Sequence, residues 1–146
     1  MKLKGNHLEV HIDAPFHHDP PPSQKAGRLW ELWNYEVVEF FLVGKNGHYL
    51  EAEFGPHGHH LLLKLDRPRN IVEENLPVQF STKLEQERWT GHARLSDKLL
   101  PKEIEKANFY AIHGTGKSRR YLSWSPLPGK KPDFHQPQVF PKFSIT

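Results

Sequence analysis

Hydrophobic and polar positions alternate with a period of two along most of the chain. In LEVHIDA, Leu8, Val10 and Ile12 alternate with Glu9, His11 and Asp13. In HYLEAEF, Leu50, Ala52 and Phe54 share one face, and Tyr49, Glu51 and Glu53 share the other. VVEFFLV has few polar interruptions, as expected of a strand in the middle of a sheet. HHLLLKL, PVQFSTKL, WTGHARL, NFYAIHG and RYLSW complete a series of short strand candidates separated by Gly, Pro, Asn and Asp turn chemistry. Two segments carry helical spacing, RLWELWNYE and SDKLLPKEIEKA, and Pro101 limits the second to a turn or two. FHHDPPPSQKAG and SPLPGKKPDFHQPQ are irregular loops because their prolines forbid both helix and central strand. Eight or nine strands with no βαβ rhythm predict an all-β fold, an antiparallel β-sandwich with one or two short helical turns, over residues 1–146 as one domain.

Composition adds little to the fold and more to the chemistry. Nine Phe, four Trp and four Tyr supply large units of burial in a chain with 36% hydrophobic residues, so the core is expected to be built from aromatics more than from aliphatics. Without cysteine there is neither a disulfide framework nor a thiolate metal site, and any metal would rest on His, Asp and Glu. No apolar run approaches the roughly 18 residues of a membrane span, and the N-terminus has no apolar signal core. A soluble protein of the cytoplasm or another intracellular compartment is therefore expected. The formal charge of +3 is uneven: residues 114–146 hold six Lys and Arg against Asp133 alone. That excess reads as a solvated basic surface, and nucleic acid is not an expected partner.

Histidine is over-supplied, with 11 in the chain, and three fall within four positions of YLEAEFGPHGHHLLLKL. A four-residue loop Gly55-Pro56-His57-Gly58 would set Phe54 opposite His59, Glu53 opposite His60, Glu51 opposite Leu62 and Tyr49 opposite Lys64. On that register Glu51, Glu53 and His60 share one polar face. His113 in AIHG, and Asp133 with His135 in PDFHQ, are the downstream groups that would complete a site. HExxH, P-loop and nucleophile-elbow patterns are absent, so catalysis is not the leading expectation. Trp33 and Tyr35, at the entry to VVEFFLV, supply aromatic faces of the kind that cover the C–H face of a pyranose.

Taken together, LWNYEVVEFFLVG, YLEAEFGPHGHHLLLKL, WTGHARL, NFYAIHG, RYLSWSPLPG and KPDFHQPQVF resemble an uncharacterised (UPF-type) family. That family is typified by the chromosome four open reading frame thirty-three protein and is similar to carbohydrate-binding-module family nine-like (DOMON-type) β-sandwiches. The matching positions are Trp33, Tyr35, Glu36, Glu39, Glu51, Glu53, His57, His60, His113, Tyr121, Asp133 and His135; His59, Trp30 and Trp124 depart from the pattern. Members usually carry a further segment ahead of the strand that here is LEVHIDA, so one N-terminal strand of the family is expected to be missing. The resemblance implies a sandwich with a ligand surface and no settled activity.

The leading expectation is a non-catalytic module binding a small polar ligand, with a saccharide as the candidate class. Its site would comprise Trp33, Tyr35, Glu51, Glu53, His57, His60, His113, Asp133 and His135, with no cofactor. One alternative makes His57, His60, His113, Asp133 and His135 a centre for a divalent metal such as zinc or calcium, capable of hydrolysis. Another is a protein-interaction module whose basic C-terminal third docks an acidic partner.

Overall fold

The computed structural model describes residues 1–146. It contains eleven strands: β1 (Lys2–Lys4), β2 (His7–Pro15), β3 (Gly27–Arg28), β4 (Val37–Gly44), β5 (Tyr49–Phe54), β6 (His59–Arg67), β7 (Asn70–Glu73), β8 (Gln79–Leu84), β9 (Arg88–Ser96), β10 (Ile104–His113) and β11 (Arg120–Ser123). All eight anticipated strands form, and β1, β3 and β7 are additional. The expected helical segments shrink to single 3-10 turns at Leu32–Asn34 and Asp97–Leu99. In the first, Glu31 enters at a left-handed φ of 62°, which starts a tight turn and no longer helix. In the second, Leu100 ahead of Pro101 is already extended, and Ile104 opens β10.

Two sheets form, one ordered β1-β2-β9-β8 and the other β11-β10-β4-β5-β6-β3, with β7 also pairing β6. Every pairing is antiparallel except the short β3–β6 contact. The core between the sheets takes the even positions Phe40, Leu42, Leu50, Ala52, Phe54 and Leu62 from one side, and Leu8, Val10, Trp89, Ala93 and Leu95 from the other. That is the apolar face read from the alternation of HYLEAEF.

The odd positions of β4, β5 and β6 are buried as well, together with even positions of β10. Val37, Phe41, Val43, Tyr49, Leu61, Leu63, Leu65, Tyr110 and Ile112 form a second apolar cluster with Leu32 and Phe140, and with Trp33, Leu127 and Phe134 packed against it. Residues 125–140, irregular apart from one 3-10 turn at Pro137–Val139, supply much of this cover. Asn108 fastens the start of the cover: its amide donates to the Ser125 carbonyl at 3.0 Å, and its Oδ1 accepts from the Ser125 N–H at 3.0 Å. Both faces of β4 and β5 are therefore closed, which accounts for the near-continuous apolar run VVEFFLV.

Candidate functional site

The β5–β6 hairpin differs from its expected register by one residue. Gly55 belongs to the ladder, its N–H donating to the His59 carbonyl at 2.9 Å, so the loop is Pro56-His57-Gly58 with Gly58 at φ +90°. The pairs are Glu53 with Leu61, Glu51 with Leu63, and Phe54 with His60. Because side chains alternate, a slip of one residue carries His60 to the opposite face of the sheet. There it lies edge-on to Phe80 at 6.4 Å, with its pKa lowered by burial and then by His59 and Arg28.

Glu51 and Glu53 meet a third carboxylate in place of an imidazole. Glu39 on β4 pairs directly with Glu53, and Glu51 lies diagonally across from Glu39. One oxygen from each of the three falls within 4.8 Å of the others. All three side chains are buried, and Glu39 Oε1, Glu51 Oε2 and both oxygens of Glu53 lack a hydrogen-bond partner. Burial raises all three pKa values: Glu51 to about 7, and Glu39 and Glu53 well above the carboxylate range, with their mutual repulsion adding to the effect. At neutral pH the cluster therefore keeps protons, and its members offer O–H donors as well as acceptors.

Above Glu39 and Glu51 lies a cavity of about 460 Å³. Trp30, Trp33 and Tyr121 form its aromatic walls; Arg69, Asp133 and His135 supply polar groups opposite the sheet. Trp30 and Tyr121 are 42% and 47% exposed, unusually open for rings of that size. Trp30 meets Trp33 edge-on at 5.2 Å. Arg119 holds this wall in place: its guanidinium donates to the carbonyls of Trp33 at 2.6 Å, Gly114 at 3.0 Å and Tyr35 at 3.2 Å, and lies 5.7 Å from the centre of the Tyr121 ring. Arg69 pairs with Asp133 at 2.5 Å, and Asp133 also accepts the His135 N–H at 3.1 Å. His135 Nδ1 lies 2.7 Å from the Tyr49 hydroxyl, and its Nε2 lies 3.8 Å from Glu51. Burial, aided by Arg69, lowers the His135 pKa to about 4, so its imidazole is neutral at physiological pH.

Of the residues expected to form one site, Trp33, Glu51, Asp133 and His135 line this cavity, with Glu53 buried in the carboxyl cluster at its base. Tyr35, His57 and His113 lie elsewhere. Tyr35 and His57 border a narrow cleft with Glu36, whose carboxylate accepts the backbone N–H groups of His17 at 2.7 Å and Asp19 at 3.3 Å. His113 stacks on His17 with ring centres 3.6 Å apart and planes 3° from parallel. His57, His60 and His113 are thus separated from Asp133 and His135, and these five do not form the shared donor set imagined for a metal. Sequence reasoning left Glu39, Arg69 and Tyr121 out of the site and set Trp30 aside. The usable signal for Glu39 was its glutamate in the otherwise apolar VVEFFLV.

The fold and the cavity define a class: an antiparallel β-sandwich of the kind found in carbohydrate-binding modules, with a ligand-sized hollow on the outer face of its larger sheet. A sequence profile for carbohydrate-binding family 9 matches residues 97–145. A crystal structure from Bacteroides uniformis, described as a "putative carbohydrate-binding protein", superposes with a TM-score of 0.78 at 19% identity, covering 97% of this chain and 74% of that one. The chain belongs to the UPF0462 family of C4orf33 proteins. It is 42% identical to the Homo sapiens member over 144 residues (92% of this chain, 72% of that protein) and 41% identical to the Danio rerio homologue over 147 residues (94% and 75%). No helix is long and apolar enough to cross a membrane.

Proposed function

We propose that this protein is a non-catalytic binding module that takes a small polar ligand in the cavity above β4 and β5, and that the ligand is a saccharide. The observation that carries this reading is the pairing of open aromatic rings with a floor of buried carboxyls whose hydrogen-bonding capacity is not filled. Trp30, Trp33 and Tyr121 offer flat apolar surface, while Glu39 and Glu51 line the floor, each with one buried oxygen that lacks a hydrogen-bond partner. A pyranose has the complementary surfaces: an apolar C–H face for a ring, and hydroxyls that both donate and accept. Leaving such buried oxygens unpaired costs about 1–3 kcal/mol each, and a ligand that pairs with them recovers part of that cost. The Arg69–Asp133 pair and neutral His135 provide further donors and acceptors at the rim. The family 9 profile match and the Bacteroides fold likeness support the same class of ligand.

A glycan array followed by calorimetry tests the proposal. Trp33→Ala and Glu51→Gln are expected to weaken any sugar found by at least about tenfold, equivalent to about 1.4 kcal/mol. If folded protein binds no mono- or oligosaccharide, the saccharide assignment fails.

A further inference from the structure

The opposite side of the molecule, the outer face of the four-stranded sheet, carries a second group of ligating side chains. The β2–β9 register sets His11 directly across from His92. Their rings stack with centroids 4.6 Å apart and planes 29° from parallel. Glu9, two residues before His11 on the same strand, shares their face, and its Oε2 lies 3.9 Å from His11 Nε2. One ligating atom from each of Glu9, His11 and His92 falls within 4.8 Å of the other two.

We propose that Glu9, His11 and His92 form a binding site for a divalent transition metal of the zinc, nickel and copper(II) class. Two imidazole nitrogens and one carboxylate oxygen suit these borderline ions, whereas calcium and magnesium require mainly oxygen ligands. Tetrahedral coordination at about 2.0–2.1 Å places ligand atoms about 3.3 Å apart. The side chains must therefore close by at most about 1.5 Å, which rotations of the exposed imidazoles provide. The backbones need not move, because paired central strands of the sheet hold all three residues. Glu9 is already held in place by Lys4, whose Nζ lies 2.7 Å from the same Oε2 that approaches His11. A bound cation would replace that ammonium as the countercharge. Around the two imidazoles, Ser81 lies opposite His92 on β8, Arg94 opposite Glu9 is turned toward His7 Nδ1 at 3.4 Å, Lys83 pairs with Glu85 at 3.3 Å, and Lys2 lies opposite Glu9 on β1. Three protein ligands leave a coordination position for water or for a group from a partner.

The experiment uses the full chain without an affinity tag, stripped with chelator and titrated calorimetrically with zinc, nickel and copper(II), while the histidine side-chain signals are followed by NMR. One equivalent is expected to bind, shifting or broadening the His11 and His92 imidazole signals, with calcium failing to compete. His11→Thr and His92→Thr retain strand propensity, and each is expected to weaken binding on the order of tenfold or more. His113→Ala is expected to leave it unchanged. Absence of binding below about 1 mM, equivalent to about 4 kcal/mol, overturns the proposal. So does binding undiminished in the His11→Thr/His92→Thr double variant, or abolished by His113→Ala alone.

Discussion

Glu39, Glu51 and Glu53 set the residue-scale energetics of the larger sheet, since like charges directly across a strand pair destabilise it unless protons neutralise them. The sign of the resulting pH dependence follows from their raised pKa values. Unfolded, the three titrate near 4.5; folded, Glu51 titrates near 7, with Glu39 and Glu53 also well above their ordinary value. Between those limits the native state holds more protons than the unfolded chain, so stability falls as pH rises. His135 acts in the opposite sense, because its folded pKa of about 4 lies below the ordinary 6.5, and protonating it costs stability as pH falls through that range. The unfolded histidine becomes fully neutral only about one pH unit above 6.5, and His57, His60 and His113, also lowered in the fold, act in the same sense, so the carboxyl contribution is read from a difference between variants. Glu53 lies outside the cavity lining, which makes Glu53→Gln a test of the cluster without removal of a ligand contact. Between pH 6.5 and 8 the melting temperature of the wild-type protein is expected to fall relative to that of Glu53→Gln. A relief of about 1 kcal/mol at pH 8 would appear as about 2–4 °C. Parallel curves for the two proteins would mean that Glu53 is not protonated in the folded state.

Among the elements, the strands were legible and their pairing was not. HYLEAEF announces itself by alternation, HHLLLKL by its apolar run, and both by the Gly and Pro between them, and both form as expected. Their register turned on whether Gly55 closes the ladder or opens the loop, a choice that no pattern of apolar residues specifies. The structure closes it, moving His60 to the inner face and leaving Glu53 with Glu39. Two consequences are measurable. The Gly55 amide, bonded to the His59 carbonyl, is expected to be protected in hydrogen exchange, whereas in a four-residue loop it would be free. Gly58 holds φ +90°, and a Cβ there would lie 3.1 Å from the Cβ of Ala26, so Gly58→Ala is expected to cost about 1–3 kcal/mol in urea unfolding. A neutral substitution would show that the loop adopts another conformation. The helical reading of RLWELWNYE failed for a related reason. Its spacing fits a helix, but tertiary packing of Leu32 and the left-handed Glu31 give a single turn that delivers Trp33 to the cavity.

At the scale of the whole molecule, the candidate site exists because a third layer lies over the sandwich. SPLPGKKPDFHQPQ has no period and was readable only as a loop. Yet it carries Asp133, Phe134 and His135 back over β4 and β5, and this cover, with the segment around Leu32, buries the three glutamates. Trp33, Glu51, Asp133 and His135 were therefore recognisable individually as chemistry, while the cavity they share with Glu39, Arg69 and Tyr121 depends on how distant segments pack. Phe134 is the contact that most directly joins cover to sheet. Its ring stacks on Tyr110 at 3.8 Å with planes 10° apart, and its carbonyl accepts from the Tyr110 hydroxyl at 3.2 Å. Phe134→Ala removes the stacking but leaves the backbone acceptor, and the two-sheet core on the far side of β4 and β5 shares none of its contacts. Truncation of a partly buried phenylalanine is expected to cost about 2–3 kcal/mol, below the range for a fully buried one. Exchange of the Ser125 and His135 amides, which bond to Asn108 and Asp133, should accelerate more than that of the β2–β9 ladder. Equal acceleration in both regions would mean that cover and sandwich unfold as one cooperative unit, and that the cavity cannot open without loss of the whole fold.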